Sequence, residues 1–330
     1  MLLFCMSLQR HSRRKITLAI LNSFEENALS DVIATVWDFD KTLIHGYMQD
    51  PIFRHYNVDP KEFWATNEAE IKQHEANGLV INHDSYYLNK FIRMSAKGQP
   101  FDGLNNDKLK EFGKKLDFFE GAIDLFTRIT QLNEDKTYRD FGIKFENYIV
   151  STGFKKMIEG SDIAGLVTHI WGAELIDTTE QEEKRLSEIA YSLDNTTKTR
   201  ALFEINKGVG IVNGSTIDVN TKIAYEDRRV QFCNMIYVAD GPSDVPAFSV
   251  MNKHHDATLA VYPHGDRQAL HEVEKLRRDG RVQMIAEANY TEESTASMWI
   301  MERLLHQAKE IMDAKKAKYT KEPGTPRHLV

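Results

Sequence analysis

The stretch that decides the fold spans residues 32–43 and reads VIATVWDFDKTL. Its first six residues are apolar or β-branched, and the run ends at Asp38. A short, continuous apolar run of this kind is typical of a strand that is buried on both faces, as in a parallel sheet. The run therefore predicts a buried strand whose carboxyl end carries Asp38 and Asp40.

Three later segments repeat this design of a short apolar run followed by a polar loop. They are residues 147–150, 235–239 and 257–262. Helical patterns lie between the runs, at residues 122–132, 198–206 and 268–278. Strands that alternate with helices predict an α/β fold, a three-layer sandwich around a central parallel sheet. Ligands bind beyond the carboxyl ends of such strands, so Ser151 and Asp240 are expected at the same edge as Asp38.

The alternation is interrupted after the first strand by a helical insert. Three helical patterns follow there with no strand-like run between them, at residues 60–75, 85–96 and 106–116. We therefore predict an α/β core made of residues 31–45 and 118–312. The insert, residues 46–117, is predicted to form a separate helical subdomain.

Three further segments complete the predicted organisation. Residues 1–30 are predicted to be an N-terminal extension. Residues 209–231 contain two short strand-like pieces, which predict a local hairpin. Residues 313–330 are rich in lysine and then in proline, which predicts a basic, flexible tail.

Composition narrows the class of protein. The 330 residues are 42% hydrophobic and 28% charged, with a formal net charge of −7. A mildly acidic globular chain gives no electrostatic attraction to nucleic acid. No apolar run approaches the roughly 20 residues that span a bilayer. The two cysteines, Cys5 and Cys233, match no disulfide or zinc pattern. We therefore expect a cytoplasmic protein that binds neither nucleic acid nor membranes.

Asp38 and Asp40 form the strongest chemical signal. Two aspartates that are two residues apart at a strand end can offer a carboxylate and a backbone carbonyl to one Mg²⁺ ion. A carboxylate beside Mg²⁺ can attack phosphorus, and a second one can protonate the leaving oxygen. The alternative interpretation is a helix cap or a pair of surface acids.

Asp240 and Asp244 follow another apolar run. Further carboxylates at the edge that carries Asp38 would repel one another unless a cation neutralised them, which argues for a metal. Taken alone, the segment also suits an ordinary turn, because Asp, Gly, Pro and Ser are common turn residues.

Two features can hold a phosphate group. Ser151, Thr152 and Gly153 offer a hydroxyl and backbone N–H groups at a strand end, although they also suit a simple strand-to-helix turn. Lys198 begins a helical pattern and can offset the charge of a phosphate. Four other cations compete for that role: Lys155, Lys156, Arg200 and Lys207.

In order and context, these features resemble the motifs of the haloacid-dehalogenase-like (HAD) hydrolase superfamily. Its pattern is DxDx[TV] after the first strand, Ser or Thr after the second, Lys on a later helix, and paired acids after another strand. The resemblance covers residues 32–244 and implies a Rossmannoid core. The insert resembles the helical cap of the phosphoserine-phosphatase-like branch, where caps close over the site and select the substrate. Ala239 departs from the pattern, where Gly is frequent.

The resemblance implies a role for each matched residue. Asp38 would be the nucleophile and a Mg²⁺ ligand. Asp40 would be the general acid and base and would give its backbone carbonyl to the metal. Asp240 would complete the protein ligands, with Asp244 and Thr42 in support. The implied phosphate-binding residues are Ser151, Thr152, Gly153 and Lys198.

The retained acid at Asp40 narrows the implied activity. Dehalogenases lack an acid at this place and ion-pumping ATPases have Thr, whereas phosphatases and phosphomutases have Asp. The resemblance thus implies a Mg²⁺-dependent phosphatase that hydrolyses a phosphate monoester of a small metabolite through an aspartyl-phosphate on Asp38. The alternatives are a phosphotransferase or phosphomutase, or a non-catalytic binding protein. The small phosphorylated substrate is the expected partner, and no oligomeric state is predicted.

Three residues of the insert are candidates to bind and select the substrate: Arg54, Asn89 and Arg93.

Overall fold

The computed structural model describes residues 31–180, 183–211, 215–253 and 257–320. The strands are β1 (Asp31–Trp37), β2 (Ile143–Phe154), β3 (His169–Glu180), β4 (Glu183–Tyr191), β5 (Met235–Ala239), β6 (Thr258–Tyr262) and β7 (Met284–Glu287). The helices are α1 (Asp50–Tyr56), α2 (Pro60–Ala76), α3 (His83–Met94), α4 (Asn106–Gly113), α5 (Ala122–Gln131), α6 (Lys136–Arg139), α7 (Lys155–Gly160), α8 (Lys198–Lys207), α9 (Val245–Asn252), α10 (Arg267–Arg278) and α11 (Thr295–Thr320). The predicted N-terminal extension, residues 1–30, lies outside the described residues.

The strands form one seven-stranded sheet in the order β4-β3-β2-β1-β5-β6-β7. Every neighbouring pair is parallel except β3 and β4, which are antiparallel. Helices cover the sheet, and the predicted α/β fold class with a mostly parallel central sheet is confirmed. Because β1 lies between β2 and β5, the residues that follow these three strands meet at one edge.

The burial of β1 explains why its sequence is apolar throughout. Ile33 and Trp37 pack into a core on one side of the sheet, whereas Val32, Ala34 and Val36 pack into the core on the other side. Successive side chains of a strand point to opposite faces, so a strand between two helical layers needs apolar residues at every position.

The hairpin of β3 and β4 was not predicted. Leu186 is the one buried residue of β4, and the other residues of this strand are partly or fully exposed. Such a half-buried strand lacks the continuous apolar run that marks the central strands.

The hairpin predicted at residues 209–231 is wrong, because none of the described residues in that segment forms a strand. The described residues of this segment form loops and turns, and the Lys207 ammonium donates to the backbone carbonyls of Val219 and Thr221.

The insert contains four helices, α1 to α4, of which α1 was not predicted. Phe91 and Phe101 stack at its centre with ring centroids 4.8 Å apart. The insert is tied to the β3–β4 hairpin, since the Ser95 hydroxyl donates to the Leu186 carbonyl at 3.1 Å. Residues 46–117 thus form a helical segment, and this segment also contacts the edge of the sheet.

The crossing of α4 and α7 depends on two glycines. A β-carbon on Gly113 would lie 2.0 Å from the Met157 carbonyl oxygen, and one on Gly160 would lie 1.9 Å from the Lys110 carbonyl oxygen. Real β-carbons do not approach backbone oxygens so closely. The helices can pack at this distance because neither position carries a side chain.

We expect Gly113→Ala to lower the free energy of unfolding by about 1–3 kcal/mol, because the new methyl group must push two backbones apart. Urea denaturation monitored by circular dichroism measures the change. Gly165→Ala is the matched control, since a β-carbon there meets no atom within 4 Å. Equal denaturation midpoints for the two variants would contradict the expected clash.

The C-terminal helix α11 continues to Thr320 and so includes the first eight residues of the predicted tail, 313–320. The tail prediction is therefore wrong for residues 313–320, while residues 321–330 lie outside the described part of the chain. The Lys315 ammonium pairs with Asp31 at 2.8 Å and donates to the Phe141 carbonyl, so it attaches the helix to the core. Among the described residues, no helix is both long and apolar enough to cross a membrane.

Candidate active site

The carboxyl ends of β1 and β5 bring two of the predicted acids together. Asp38 directly follows β1, and its N–H donates to the Val238 carbonyl of β5 at 2.9 Å. Asp240 directly follows β5. One carboxylate oxygen each from Asp38, Asp240 and Asp244 lies within 4.8 Å of the others. The expectation that these acids meet at one sheet edge is met by the structure.

Lys198 lies between two of these acids. Its ammonium is 2.7 Å from a carboxylate oxygen of Asp38 and 2.8 Å from one of Asp244. The side chains of all three residues are buried. The cluster contains one ammonium, from Lys198, but more than one carboxyl group, because Asp240 and Asp40 lie close to Asp38 and Asp244. The positive charge of Lys198 therefore does not balance the acids.

Helix α8 places Lys198 at its first position. The Asp194 carboxylate accepts hydrogen bonds from the backbone N–H groups of Thr196 and Thr197, which fixes the turn that enters the helix. The Lys198 N–H donates to the Asp194 carbonyl at 3.0 Å. This turn directs the lysine toward the sheet edge.

The four competing cations have partners elsewhere. Lys155 pairs with Glu174, Lys156 with Glu159, and Arg200 with Glu204. Lys207 donates to loop carbonyls, as described above. The sequence left the choice among five cations open, and in the structure Lys198 is the one that reaches the acids.

Burial and mutual repulsion raise the pKa values of the acids. The pKa of Asp40 rises to about 8, chiefly because its carboxyl is withdrawn from water, and next because of the Asp38 charge. The pKa of Asp240 rises to about 7 for the same two reasons. Carboxylates crowded in this way hold protons or require a cation. The donor set of carboxylate oxygens suits Mg²⁺, which prefers oxygen ligands, so these residues fit the implied metal.

Hydrogen bonds fix the orientation of the acids. The Thr42 hydroxyl donates to the second Asp38 oxygen at 3.0 Å, and the Met48 N–H donates to Asp40 at 2.8 Å. Two buried phenols, which sequence analysis missed, extend this network. Tyr237 donates to Asp244 and Tyr290 donates to the Thr42 carbonyl, each at 2.5 Å. Tyr237 lies within a predicted strand. The sequence therefore indicated that it is part of a buried run, but it did not indicate that its hydroxyl contacts Asp244.

The segment from Ser151 to Gly153 lies where β2 becomes irregular. Pairing between β2 and β3 shifts register between Val150 and Phe154. The Ser151 hydroxyl is buried and accepts a hydrogen bond from the Gly153 N–H at 3.1 Å. Because the β2–β3 pairing is interrupted here, backbone groups of β2 do not bond to β3 and can bond to other partners, as phosphate binding by backbone N–H groups requires.

Two residues of the insert reach this loop. The Tyr87 hydroxyl donates to the Thr152 carbonyl at 2.9 Å. The Met48 sulfur accepts from the Phe154 N–H at 3.0 Å, and a β-carbon on Gly153 would lie 2.4 Å from that sulfur. The insert therefore covers residues 152–154 at the carboxyl end of β2.

The contacts that the structure shows for two of the three substrate candidates lie within the insert. Arg93 pairs with Glu70 at 3.4 Å on the exposed face of α3. The Asn89 amide donates to the Ser85 carbonyl of its own helix, and Arg54 is exposed on α1. Sequence spacing alone did not reveal which face of each helix points inward. In the structure, Met48 and Tyr87 of the insert contact residues 152–154 of β2.

We expect Mg²⁺ to raise the melting temperature more at high pH than at low pH. In the metal-free protein, Asp40 and Asp240 retain protons up to about pH 8 and about pH 7, whereas unfolded aspartate loses its proton near pH 4. Stability from these protons is present at low pH and lost as pH rises through those values. Mg²⁺ would take the place of the Asp240 proton, so it is expected to bind more tightly once that proton has left.

Thermal denaturation with Mg²⁺ and with EDTA, at about pH 6 and about pH 8.5, measures this difference. Asp240→Asn should reduce the shift at both pH values, because the variant lacks one carboxylate ligand. An equal Mg²⁺ shift at the two pH values would contradict the coupling between metal binding and proton release.

The structure places the acids and the lysine of the predicted motifs together at one edge of a mostly parallel sheet. No family model matches the chain. Over 293 residues, the chain is 39% identical to a protein of Borreliella burgdorferi described only as uncharacterized. The alignment covers 84% of this chain and 98% of the relative. The chain therefore belongs to the same protein family as the Borreliella burgdorferi protein.

Solved structures resemble the chain at the level of the fold. A probable phosphoserine phosphatase from Vibrio cholerae is 16% identical, with a TM-score of 0.48, and the match covers 86% of this chain and 68% of that one. A HAD family hydrolase from Salmonella enterica serovar Typhi is 14% identical, with a TM-score of 0.45, and the match covers 72% of this chain and 65% of that one. At these values the resemblances carry no conclusion about substrate.

Proposed function

We propose that the protein is a Mg²⁺-dependent phosphatase that hydrolyses a phosphate monoester of a small metabolite through an aspartyl-phosphate on Asp38. The observation that carries this proposal is the buried cluster in which Lys198 bridges Asp38 and Asp244, with Asp240 adjacent. A structural ion pair would not need a third and a fourth carboxylate beside it, because each added buried charge is costly.

Asp38 is suited to attack phosphorus. Its two oxygens are held by the Lys198 ammonium and the Thr42 hydroxyl, so its carboxylate has a single orientation. Mg²⁺, held by Asp38, Asp240 and the backbone carbonyl of Asp40, would neutralise phosphate charge. Lys198 would stabilise the transferred phosphoryl group, together with the hydroxyl and backbone N–H groups of residues 151–153.

Asp40 is suited to proton transfer. A pKa of about 8 keeps its carboxyl protonated at neutral pH, so it can donate a proton to the leaving oxygen. Once deprotonated, it can accept a proton from the water that attacks the acyl phosphate. The Met48 N–H holds one of its oxygens, which leaves the other for the substrate.

The insert is proposed to act as the cap. Its contacts through Tyr87 and Met48 cover the carboxyl end of β2, so substrate entry requires these contacts to open or the substrate to enter beside them. A closed cap excludes bulk water and strengthens electrostatic contacts within the site. The cytoplasmic location expected from the sequence remains part of this proposal.

Release of inorganic phosphate from an aryl phosphate, with Mg²⁺ and with EDTA, tests the proposed reaction. We expect turnover that requires Mg²⁺, followed by selective hydrolysis within a panel of phosphorylated metabolites. A folded, Mg²⁺-loaded protein that releases phosphate from none of these esters would contradict the proposal. Transfer of phosphate to an added alcohol in preference to water would instead identify a phosphotransferase.

A further inference from the structure

Lys41 has a backbone conformation that its side chain does not favour. Its φ is 56°, in the left-handed region, and among the described residues only Asn57 shares this property without being glycine. Asn is often found there, and glycine adopts such angles without steric cost. A lysine held in this conformation next to Asp40 suggests that its side chain has a function.

The loop from Lys41 to Tyr47 is held in one shape. The Lys41 N–H donates to the Gly46 carbonyl at 3.1 Å, and the His45 N–H donates to the Asp117 carbonyl at 2.8 Å. The Tyr47 N–H donates to the Asp50 carboxylate at 3.2 Å. These bonds fix both ends of the loop, so Lys41 and Tyr47 face each other.

The two side chains form a pair of donors. The Lys41 ammonium lies 2.7 Å from the Tyr47 hydroxyl oxygen and 4.3 Å from the centre of its ring. The phenol accepts from the ammonium, so its own O–H remains available to donate. Among the described residues, no carboxylate lies within ion-pair distance of Lys41, although its charge interacts with Asp240 and Asp40. The Tyr47 side chain is 44% exposed, so the pair borders solvent.

We propose that the Lys41–Tyr47 pair binds a second anionic group of the substrate, a carboxylate or a further phosphate. This inference rests on the proposed phosphatase function. The transferred phosphoryl group is assigned to Lys198 and residues 151–153 near the end of β2. Lys41 follows Asp40, the residue proposed to protonate the leaving oxygen, and its ammonium interacts with the charges of Asp40 and Asp240, so it lies near the place proposed for the leaving group. A cation and an O–H donor at that place select leaving groups that carry negative charge.

The experiment compares phosphoglycolate with ethyl phosphate, which lacks the carboxylate but has a similar size. A bisphosphorylated sugar and its monophosphate form a second pair. We expect the wild-type protein to have a higher kcat/KM for the doubly anionic ester in at least one pair. Lys41→Gly should reduce that preference about tenfold or more, because one charge-assisted hydrogen bond is lost.

Further variants separate substrate selection from structural effects. Lys41→Gly should be at least as stable as the wild type, because glycine suits the left-handed backbone. Lys41→Arg should retain the preference, and Tyr47→Phe should reduce it. Lys72→Met, at an exposed lysine of the insert, should leave the preference unchanged.

An unchanged preference in Lys41→Gly, or no preference in a wild-type protein that hydrolyses aryl phosphate, would overturn the inference. Absence of all phosphate release would contradict the proposed function itself.

Discussion

Asp38→Asn is expected to abolish phosphate release, with kcat lowered by about 10⁴-fold or more. The amide cannot act as a nucleophile toward phosphorus, and Asp38 is the acid directly after β1 whose two oxygens are held by Lys198 and the Thr42 hydroxyl. The variant should fold, since the amide oxygen can still accept from Lys198 and one negative charge leaves a crowded cluster. Steady-state phosphate release with Mg²⁺ measures the loss.

Asp31→Asn is the matched control for this substitution. Asp31 begins the same strand but lies at its opposite end, where it pairs with Lys315 and its side chain is 37% exposed. We expect activity within about twofold of the wild type, because exposed ion pairs contribute little. Asp38→Asn that retained a tenth or more of the wild-type kcat would exclude Asp38 as the nucleophile.

Lys198→Met is expected to lower the free energy of unfolding by about 3–5 kcal/mol near pH 8 in the absence of metal. The change removes one partner of a buried charge cluster and leaves Asp38 and Asp244 without a cation. The two carboxyls can take up protons instead, so the loss should be smaller near pH 5. Chemical denaturation at the two pH values measures both effects.

Lys72→Met provides the comparison for Lys198→Met. Lys72 is an exposed lysine of α2 that pairs with Glu68 four residues earlier. Its loss should change the free energy of unfolding by less than about 0.5 kcal/mol at either pH. If Lys198→Met were equally mild at both pH values, the bridging ion pairs would have no part in stability. Addition of Mg²⁺ should restore part of the stability that Lys198→Met loses.

The central strands and the acids that follow them were predictable because burial on both faces leaves a continuous apolar run. β1 and β5 show such runs, and Asp38 and Asp240 follow them directly. The β3–β4 hairpin was not predictable in this way, because it lies at the edge and buries one face. The end of α11 was also missed, because lysine favours helices as well as flexible tails.

Contacts between distant segments explain the remaining differences within the site. The choice of Lys198 among five cations depends on the turn at Asp194, which sequence spacing does not reveal. Tyr290 reaches Thr42 from a position 248 residues away, so no local pattern predicts it. The role of the substrate candidates Arg54, Asn89 and Arg93 stays a prediction, because the rotation of a helix about its axis decides which residues face inward and sequence spacing does not reveal it.

Trapping the covalent intermediate tests the proposed chemistry most directly. The protein is mixed with Mg²⁺ and an aryl phosphate, quenched in acid within the first turnover, digested and analysed by mass spectrometry. We predict that the peptide containing Asp38 gains one phosphoryl group, and that the gain disappears in Asp38→Asn and with EDTA. Burst release of the aryl alcohol without phosphate on that peptide, or with phosphate on another residue, would contradict a mechanism through Asp38.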